Sequence, residues 1–253
     1  MTISVIMITK NEERNIAAAL ESVKGFADEI ILVDGYSTDK TVETARSYGA
    51  KITQKTFISF KEQKGAALAA ATKEWVLNLD ADETLGAELK AEILQTIKDT
   101  PYNGFYLPSS NIFLGRRMKW GSLRKDYKLR LARRAAASYE GGKVHEVLSV
   151  QGVTPKLKNA LNHTPYRDIR HYFEKFNNYT SLGAESMHEK GKKFNPLQML
   201  RPFWEFPRIY IIRLGFLDGY QGFLWAAFSS FYPFVKYAKL WELNKKSIEK
   251  KSF

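Results

Sequence analysis

The sequence predicts an α/β fold, with a mostly parallel sheet flanked by helices and a C-terminal helical extension rich in aromatic residues. Three observations predict it. Short apolar runs alternate with helical patterns over the first hundred residues, which is the order of a parallel sheet with right-handed crossovers. Successive apolar runs end in acidic residues, and from about residue 160 the chain becomes aromatic and basic.

The composition narrows the classes of function. The chain has 253 residues, 44% of them hydrophobic, which allows one large domain or a domain with an appendage. Its net charge of +12 favours phosphate-bearing substrates, nucleic acid or an anionic membrane surface. The absence of cysteine excludes disulfides, thiolate zinc sites and cysteine nucleophiles. The N-terminus enters a strand pattern directly, so we expect no signal peptide and a cytoplasmic protein.

The first strand, turn and helix open the chain. Residues 3–8 form an apolar run that predicts a strand. Asn11 is expected to cap the following helix. The inward positions of that helix, Ile16, Leu20 and Val23, recur at helical spacing.

A second unit repeats this order. Residues 29–33 form an apolar run that ends at Asp34, where glycine, serine and aspartate permit a tight turn before another helix. A third strand is expected at residues 51–53, and the alanine-rich residues 61–73 predict a helix. Neither a dinucleotide-binding glycine fingerprint nor a P-loop follows the first strand, which argues against dehydrogenases and P-loop nucleotidases.

The strand predicted at residues 75–79 is the centre of the pattern, because it is apolar and then ends in Asp80, Asp82 and Glu83. Acids at the carboxyl end of a parallel strand lie at the edge of the sheet where ligands bind. Oxygen ligands of this kind suit Mg²⁺ or Mn²⁺. The alternative is that these acids only form a loop and cap the next helix.

Four motifs follow one another over about ninety residues of this pattern. They are Thr9 with Asn11-Glu12, Val33-Asp34-Gly35-Tyr36-Ser37-Thr38-Asp39-Lys40-Thr41, Lys64-Gly65-Ala66-Ala67, and Leu79-Asp80-Ala81-Asp82-Glu83. Their combination resembles glycosyltransferase family 2, inverting enzymes of the Rossmann-like GT-A fold that use nucleotide-activated sugars. Residues 126–131, 144–146 and 214–219 further resemble the branch that includes bacterial lipopolysaccharide core glucosyltransferases.

The resemblance implies a role for each motif on the donor side. A uridine diphosphate sugar would be the donor, and Asp82 would hold the Mg²⁺ or Mn²⁺ ion that bridges its diphosphate. A divalent cation stabilises the negative charge that a departing nucleoside diphosphate gathers. Asp34, Thr9 and Glu12 would contact the base and ribose, and Asp80 the sugar or ribose. The residues assigned to the nucleotide pocket are Thr9, Glu12, Asp34, Asp39, Lys64 and Asp80.

An inverting transfer also needs a base that takes the proton from the attacking hydroxyl. The sequence offers Glu146 and Asp126. Asp126 lies in a stretch, residues 116–134, that holds nine Lys or Arg residues, and such neighbours weaken a carboxylate as a base. We therefore favour Glu146. His145 is either a further metal ligand, a group that orients a phosphate, or a surface histidine.

The basic stretch itself has two interpretations. It is either a solvated charged face or a surface that receives acceptor or lipid phosphates, and Arg130 is one candidate for the diphosphate. We favour the second interpretation, because the acceptors implied by the resemblance are acidic. Three further histidines lack metal-ligand spacing and are interpreted as structural or surface residues. They are His163, His171 and His188.

The aromatic tail, residues 201–240, predicts membrane association. Its longest uncharged run, residues 219–235, is shorter than the roughly 20 apolar residues of a spanning helix. Amphipathic helices lying in the interface fit better, because aromatic rings prefer the headgroup level and basic residues are drawn to anionic lipid. The alternative is a helical hairpin packed on the catalytic domain or on another subunit.

Together these patterns predict a metal-dependent glycosyltransferase that moves a hexose, glucose being the expected sugar, from a UDP-sugar to a lipid-linked or lipopolysaccharide-type saccharide. We expect it at the inner face of the cell membrane, with no nucleic acid as partner. The expected division is a nucleotide-sugar half (1–100), an acceptor half (101–160) and a membrane-associating helical region (161–253). A nucleotidyltransferase and a non-catalytic basic module that binds membrane or nucleic acid are the alternatives.

Overall fold

The computed structural model describes residues 1–124, 126–141 and 146–249. The chain forms two compact units, the first made of residues 1–110 and 125–164 and the second of residues 111–124 and 165–253. The division at residue 100 into a nucleotide half and an acceptor half concerns function, and it stays a prediction.

The helices and strands follow the predicted order. In chain order the strands are β1 (Ile3–Thr9), β2 (Glu29–Asp34), β3 (Lys51–Gln54), β4 (Trp75–Asn78), β5 (Glu83–Thr84), β6 (Gly104–Phe113), β7 (Arg116–Arg117), β8 (Asp126–Arg133), β9 (Ser138–Gly141), β10 (Glu146–Ser149) and β11 (Leu161–Tyr166). The α-helices are α1 (Ile16–Val23), α2 (Thr41–Ser47), α3 (Phe60–Ala70), α4 (Ala87–Lys98), α5 (Ile169–Glu189), α6 (Arg201–Pro207) and α7 (Gly219–Glu249).

The sheet of the first unit runs in the order β3-β2-β1-β4-β8-β6-β11-β5. Its first four strands are parallel, and β8 is antiparallel to both β4 and β6. Thr9 pairs with Asp34, and Ile6 pairs with Asn78, the last residue of β4. The carboxyl ends of β1, β2 and β4 therefore lie at one edge of the sheet, called here the carboxyl edge.

Both faces of β1, β2 and β4 are buried, as the continuous apolar runs predict, whereas the edge strand β3 is mostly exposed. One face packs the inward side of α1 and α4 against the sheet, with Leu20 and Ile93 fully buried. The other face packs α3 and the β9–β10 hairpin, with Ala67, Tyr139 and Leu148 in one cluster. The sheet is thus packed on both faces, and its carboxyl edge is the place where a ligand is expected.

The prediction that Asn11 caps the first helix is wrong. The helix begins at Ile16, and Asn15 stands at its N-cap without a side-chain cap. Asn11 instead has a left-handed backbone, φ 56°, and its side-chain oxygen accepts a hydrogen bond from the Thr38 amide at 2.8 Å. Its own amide donates to Ser37 Oγ at 2.8 Å. Asn11 therefore joins the loops after β1 and β2, because its short polar side chain tolerates this backbone and reaches the second loop.

The second unit is helical and has an aromatic core. The helices α5 and α7 pack together. Tyr172 is central, because its ring lies 5.3 Å from Phe228, 5.9 Å from Trp225 and 6.2 Å from Phe113. No helix within the described ranges is both long and apolar enough to cross a membrane.

Candidate active site

Asp34 ends β2 at the carboxyl edge and is fully buried. Its carboxylate accepts hydrogen bonds from the Ser37 amide at 2.8 Å, the Ser37 hydroxyl, Thr9 Oγ1 at 3.2 Å and Gln54 Nε2 at 3.3 Å. These four bonds order the loop after β2. The predicted contacts of Asp34 and Thr9 with a base and ribose stay predictions.

Asp39 and Glu12 also take part in joining the two loops. The Asp39 carboxylate accepts bonds from the Thr41 amide at 3.0 Å and the Glu13 amide at 3.1 Å, and the Glu12 amide donates to Thr41 Oγ1 at 2.7 Å. Burial would raise the pKa of Asp39, but the bonds from Thr41 and Glu13 outweigh it and lower that pKa. Asp39 is therefore a charged carboxylate that fixes the loops, and its contact with a nucleotide stays a prediction.

Asp80 follows β4 at the same edge and is held by Arg130 of β8. Arg130 Nη2 lies 2.7 Å from Asp80 Oδ2 and 2.7 Å from Glu83 Oε1, and all but a few per cent of the Arg130 side chain is buried. Burial would raise the pKa of Asp80, but the charges of Arg130 and Lys64 outweigh it and hold that pKa well below its usual range. Burial raises the pKa of Glu83. Arg130 thus orders the acids of the central motif.

Lys64 of α3 joins the donor-side acid to the predicted base. Its ammonium lies 2.8 Å from Glu146 Oε1 and 3.8 Å from Asp80 Oδ1, and the side chains of Lys64 and Glu146 are largely buried. Lys64 is positioned by a helix whose N-cap, Ser59, accepts a bond from the Glu62 amide. Three residues far apart in the sequence, Lys64, Asp80 and Glu146, therefore form one cluster.

Asp126 has different surroundings. It is exposed at the start of β8, and its carboxylate accepts a bond from the adjacent Tyr127 amide at 2.9 Å. Four residues, about 13 Å of strand, separate it from Arg130. The structure thus brings Glu146, and not Asp126, to the cluster around Asp80. Because Glu146 itself contacts the Lys64 ammonium, the preference for Glu146 rests on this position and not on a lack of cationic neighbours.

Asp82 lies beside a histidine that the sequence interpretation set aside. His163 Nε2 of β11 is 3.6 Å from Asp82 Oδ2, because β5 and β11 pair at His163 and Glu83. A carboxylate and an imidazole suit Mn²⁺, and Mg²⁺ sites commonly use one or two carboxylates with substrate phosphates. Within residues 1–124, 126–141 and 146–249, no three His, Asp or Glu side chains are placed to hold a metal by themselves. His145 lies outside the described residues.

Tyr139 of β9 is a further polar residue of this region that the sequence did not single out. Its ring is buried, and its hydroxyl has no hydrogen-bond partner among the described residues. Burial, together with the charges of Asp80 and Glu146, raises the pKa of Tyr139, and Arg130 opposes this rise. Tyr139 is therefore a neutral hydroxyl at the back of the cluster. It follows an apolar pattern typical of core tyrosines, so no sequence signal marked it.

Comparison with known proteins gives the family. The family model described as "Glycosyl transferase family 2" matches residues 4–150, more than half of the chain. The chain belongs to glycosyltransferase family 2. The match includes all four N-terminal motifs and both base candidates, and it excludes most of the second unit.

Relatives of this glycosyltransferase match along nearly its whole length. An uncharacterized glycosyltransferase of Rickettsia typhi is 32% identical over 97% of this chain and 88% of its own. The lipopolysaccharide core biosynthesis glycosyltransferase LpsC of Rhizobium meliloti is 28% identical over 96% of this chain and 93% of its own. The crystal structure of S. aureus TarS 1–349 with UDP-GlcNAc has 16% identity and a TM-score of 0.49, with 98% and 92% of the chains covered.

Family membership confirms two predictions. The fold is the predicted α/β class with flanking helices and a C-terminal helical region, and the chain is a glycosyltransferase. The nucleotidyltransferase and the non-catalytic binding module are thereby set aside. Roles of single residues are not given by a family match, so the base, the metal ligands and the nucleotide contacts stay predictions.

Proposed function

We propose that this glycosyltransferase moves a hexose, with glucose the expected sugar, from a UDP-sugar to a lipid-linked or lipopolysaccharide-type saccharide. One observation carries the proposal: the Lys64 ammonium contacts both Asp80, on the donor side, and Glu146, on the acceptor side. A transfer in one step needs both groups within reach of one sugar carbon. The name of the Rhizobium relative supports the class of acceptor.

The transfer is a single displacement at the anomeric carbon. The acceptor oxygen forms the new bond to that carbon as the bond to the diphosphate oxygen breaks, and UDP departs with the bonding electrons. Glu146 takes the proton of the acceptor hydroxyl, and Lys64 fixes the orientation of that carboxylate. Asp80, which is the most open acid of the cluster, faces the sugar or ribose.

Mg²⁺ or Mn²⁺ would be held by the Asp82 carboxylate, a donor that suits either ion, and the neighbouring His163 imidazole is a donor that Mn²⁺ accepts more readily than Mg²⁺ does. When bound there, the cation supplies positive charge that offsets the charge gathering on the diphosphate. The two side chains would need to move little to bind the same ion, because His163 Nε2 already lies 3.6 Å from Asp82 Oδ2. His163 is thus a second histidine candidate; His145 lies outside the described residues, and its role as a metal ligand stays a prediction.

We also assign the protein to the inner face of the cell membrane. A lipid-linked acceptor is presented at that surface, and a net charge of +12 is attracted to anionic lipid. The protein would be peripheral and cytoplasmic. The membrane would then deliver the acceptor while the donor arrives from solution.

A screen of nucleotide sugars tests the donor and the metal together. We expect the protein to have a higher melting temperature in the presence of UDP-glucose and Mn²⁺, and to release UDP from this donor. We also expect UDP to bind more weakly in the absence of Mn²⁺ than in its presence. Asp82→Ala should abolish the effect of Mn²⁺, whereas the matched control Asp126→Ala, a change of an exposed acid, should leave it unchanged. Binding that is identical in Asp82→Ala would remove the metal assignment, and no response to any nucleotide sugar would remove the donor.

A further inference from the structure

The chain from residue 196 to residue 217 forms a broken helical segment within the second unit. It consists of a 3-10 turn (Pro196–Leu200), α6, a π-helical turn (Arg208–Ile212) and a second 3-10 turn (Gly215–Asp218). We call residues 196–217 the broken segment. It accounts for the first half of the aromatic tail seen in the sequence, and α7 accounts for the rest.

One side of the broken segment packs on protein. Ile209 is buried, and Phe206 stacks on Tyr210 with ring centroids 5.4 Å apart. Phe223 of α7 lies 5.8 Å from Phe206 and 5.7 Å from Tyr210. This side therefore makes an ordinary helix contact with α7.

The opposite side is apolar too, and no residue within the described ranges covers it. Phe203 is 78% exposed and Trp204 is 62% exposed, values that are high for aromatic residues. Leu200, at the N-cap of α6, and Trp204 are four residues apart, so they share one side of that helix. A helix that is apolar all round is normally buried in protein or in lipid. The exposed apolar residues of the segment are Leu197, Leu200, Phe203, Trp204, Ile211, Ile212, Leu214, Phe216 and Leu217.

The excess of positive charge around the broken segment indicates what kind of partner its exposed apolar side would bind. Residues 190–217 contain six Lys or Arg residues and one acid, Glu205. The single acid is neutralised by Arg208, whose Nε lies 2.9 Å from Glu205 Oε2. A protein partner of ordinary composition would not be selected by such an excess, whereas an anionic bilayer offers both acyl chains and a negative surface. The exposed cations are Lys190, Lys192, Lys193, Arg201 and Arg213.

The helix α7 is different, because several of its aromatic residues pack within the protein, although Tyr220, Phe231 and Trp241 are exposed. Phe228 packs on Tyr172, and Tyr232 lies 5.7 Å from Phe176 of α5. Lys239 donates to four oxygens of α5, among them Thr180 Oγ1 at 2.9 Å. Such a set of hydrogen bonds holds α7 on α5 and opposes insertion of that face into lipid.

We propose that the broken segment, and not α7, seats this protein on an anionic bilayer, with Phe203 and Trp204 inserted at the headgroup level. The proposal deepens the membrane assignment of the proposed function by naming the contact. It differs from the sequence prediction, which gave the whole tail from 201 to 240 this role. The flanking cations would lie over the lipid phosphates while the rings reach the acyl boundary.

Sedimentation with vesicles tests the contact, with phosphatidylcholine vesicles compared with vesicles holding one quarter phosphatidylglycerol. We expect the protein to bind the anionic vesicles, binding to fall as salt rises, and the double variant F203S/W204S to bind at least about tenfold more weakly. The matched control is F231S/W241S on α7, which removes two aromatic residues that are 55% and 50% exposed. This control should bind as the unchanged protein does.

Two results would overturn the proposal. Equal losses in both double variants would mean that aromatic content in general, and not the broken segment, drives binding. Loss of a dimer in F203S/W204S, seen by analytical ultracentrifugation without lipid, would identify the surface as a contact between two copies. Binding of UDP with Mn²⁺, measured by calorimetry on the same variants, should be unchanged. That measurement separates failure of the lipid contact from failure of the proposed donor.

Discussion

Asp34 and Asp80 lie at the same edge of the sheet, two strands apart, but their surroundings differ. Asp34 is 0% exposed and its carboxylate accepts hydrogen bonds from Thr9, Ser37 and Gln54. The Asp80 side chain is 33% exposed and is held by two cations, Arg130 and Lys64. One acid is thus saturated by neutral donors, and the other is balanced by charge.

The difference separates fixing a loop from handling a substrate. Neutral donors satisfy every lone pair of Asp34, so the residue orders the chain around it. Cations hold Asp80 in its charged form and still leave an open face, which a substrate hydroxyl can use. Two acids that look alike in the sequence, each after an apolar strand, therefore contribute to stability and to chemistry in different proportions.

The largest effect on the reaction rate is expected from a change of Glu146, the proposed base on the acceptor side of the cluster. Glu146→Gln should lower the rate of UDP release from UDP-glucose in the presence of acceptor by about 100- to 10,000-fold, because the amide cannot take a proton. Binding of UDP should change little, since the predicted nucleotide contacts lie on other residues. Steady-state rates and calorimetry measure the two quantities separately.

The control for that variant is Asp126→Asn, which removes the other candidate base. We expect near-normal rates, because the Asp126 carboxylate is exposed and bonded to its own neighbour. A loss in Asp126→Asn as large as in Glu146→Gln would break the assignment. A Glu146→Gln protein that keeps its rate would break the cluster interpretation altogether.

A second large effect should come from the buried cation. Arg130→Met leaves Asp80 and Glu83 without the guanidinium that both contact, and loss of one partner from a buried ion pair costs about 3–5 kcal/mol. Urea unfolding measures the loss. Adding Glu83→Gln to Arg130→Met should recover part of it, because one of the two uncompensated carboxylates is then gone. No recovery would show that Arg130 acts through packing alone.

The sequence predicted these acids better than it predicted what holds them. Apolar runs predict strands, and the carboxyl ends of parallel strands lie at the same edge of a sheet. Asp34, Asp80 and Asp82 could therefore be placed together at that edge. The link between Lys64 and Glu146 spans 82 residues, and no local spacing encodes it. Arg130 carried no clear signal, because in the alternating sequence of β8 it shares its spacing of two with Asp126 and Lys128, both of which are exposed. His163 carried none, because its approach to Asp82 depends on the pairing of β11 with β5.

A third test uses Glu29, a buried acid at the other end of β2 whose carboxylate accepts four hydrogen bonds. Burial would raise the pKa of Glu29, but bonds from Lys51, Ser4 and Thr72 outweigh it and lower that pKa to about 2 from an ordinary 4.5. Its stabilisation is therefore present above pH 4.5 and is lost as the pH falls from 4.5 towards 2. Such a shift corresponds to about 3 kcal/mol.

Glu29→Gln removes the titrating group, so its cost depends on pH. Urea unfolding at pH 7 should show a loss of up to about 3 kcal/mol. The difference from the unchanged protein should shrink at pH 3 and continue to fall below that. A difference that is the same at both values would mean that the lost hydrogen bonds, and not the charge, stabilise this position.

The smallest effect is expected from a pair of matched substitutions, Asp34→Asn and Asp80→Asn. This pair tests the comparison of the two acids most directly, because each acid is changed in the same way. Asp34→Asn places an NH₂ group against donors such as the Ser37 amide, and a buried donor left unmatched costs about 2 kcal/mol. A loss of about 4–8 °C in melting temperature follows for a chain of this size. Asp80→Asn should change the melting temperature by less, because both cations that contact Asp80 retain another ion-pair partner. Arg130 remains paired with Glu83, and Lys64 remains paired with Glu146. The rate should show the reverse order, with Asp80→Asn the more impaired, provided that both proteins are assayed below the lower melting temperature. Equal losses of stability would mean that the charge-balanced acid is as structural as the saturated one.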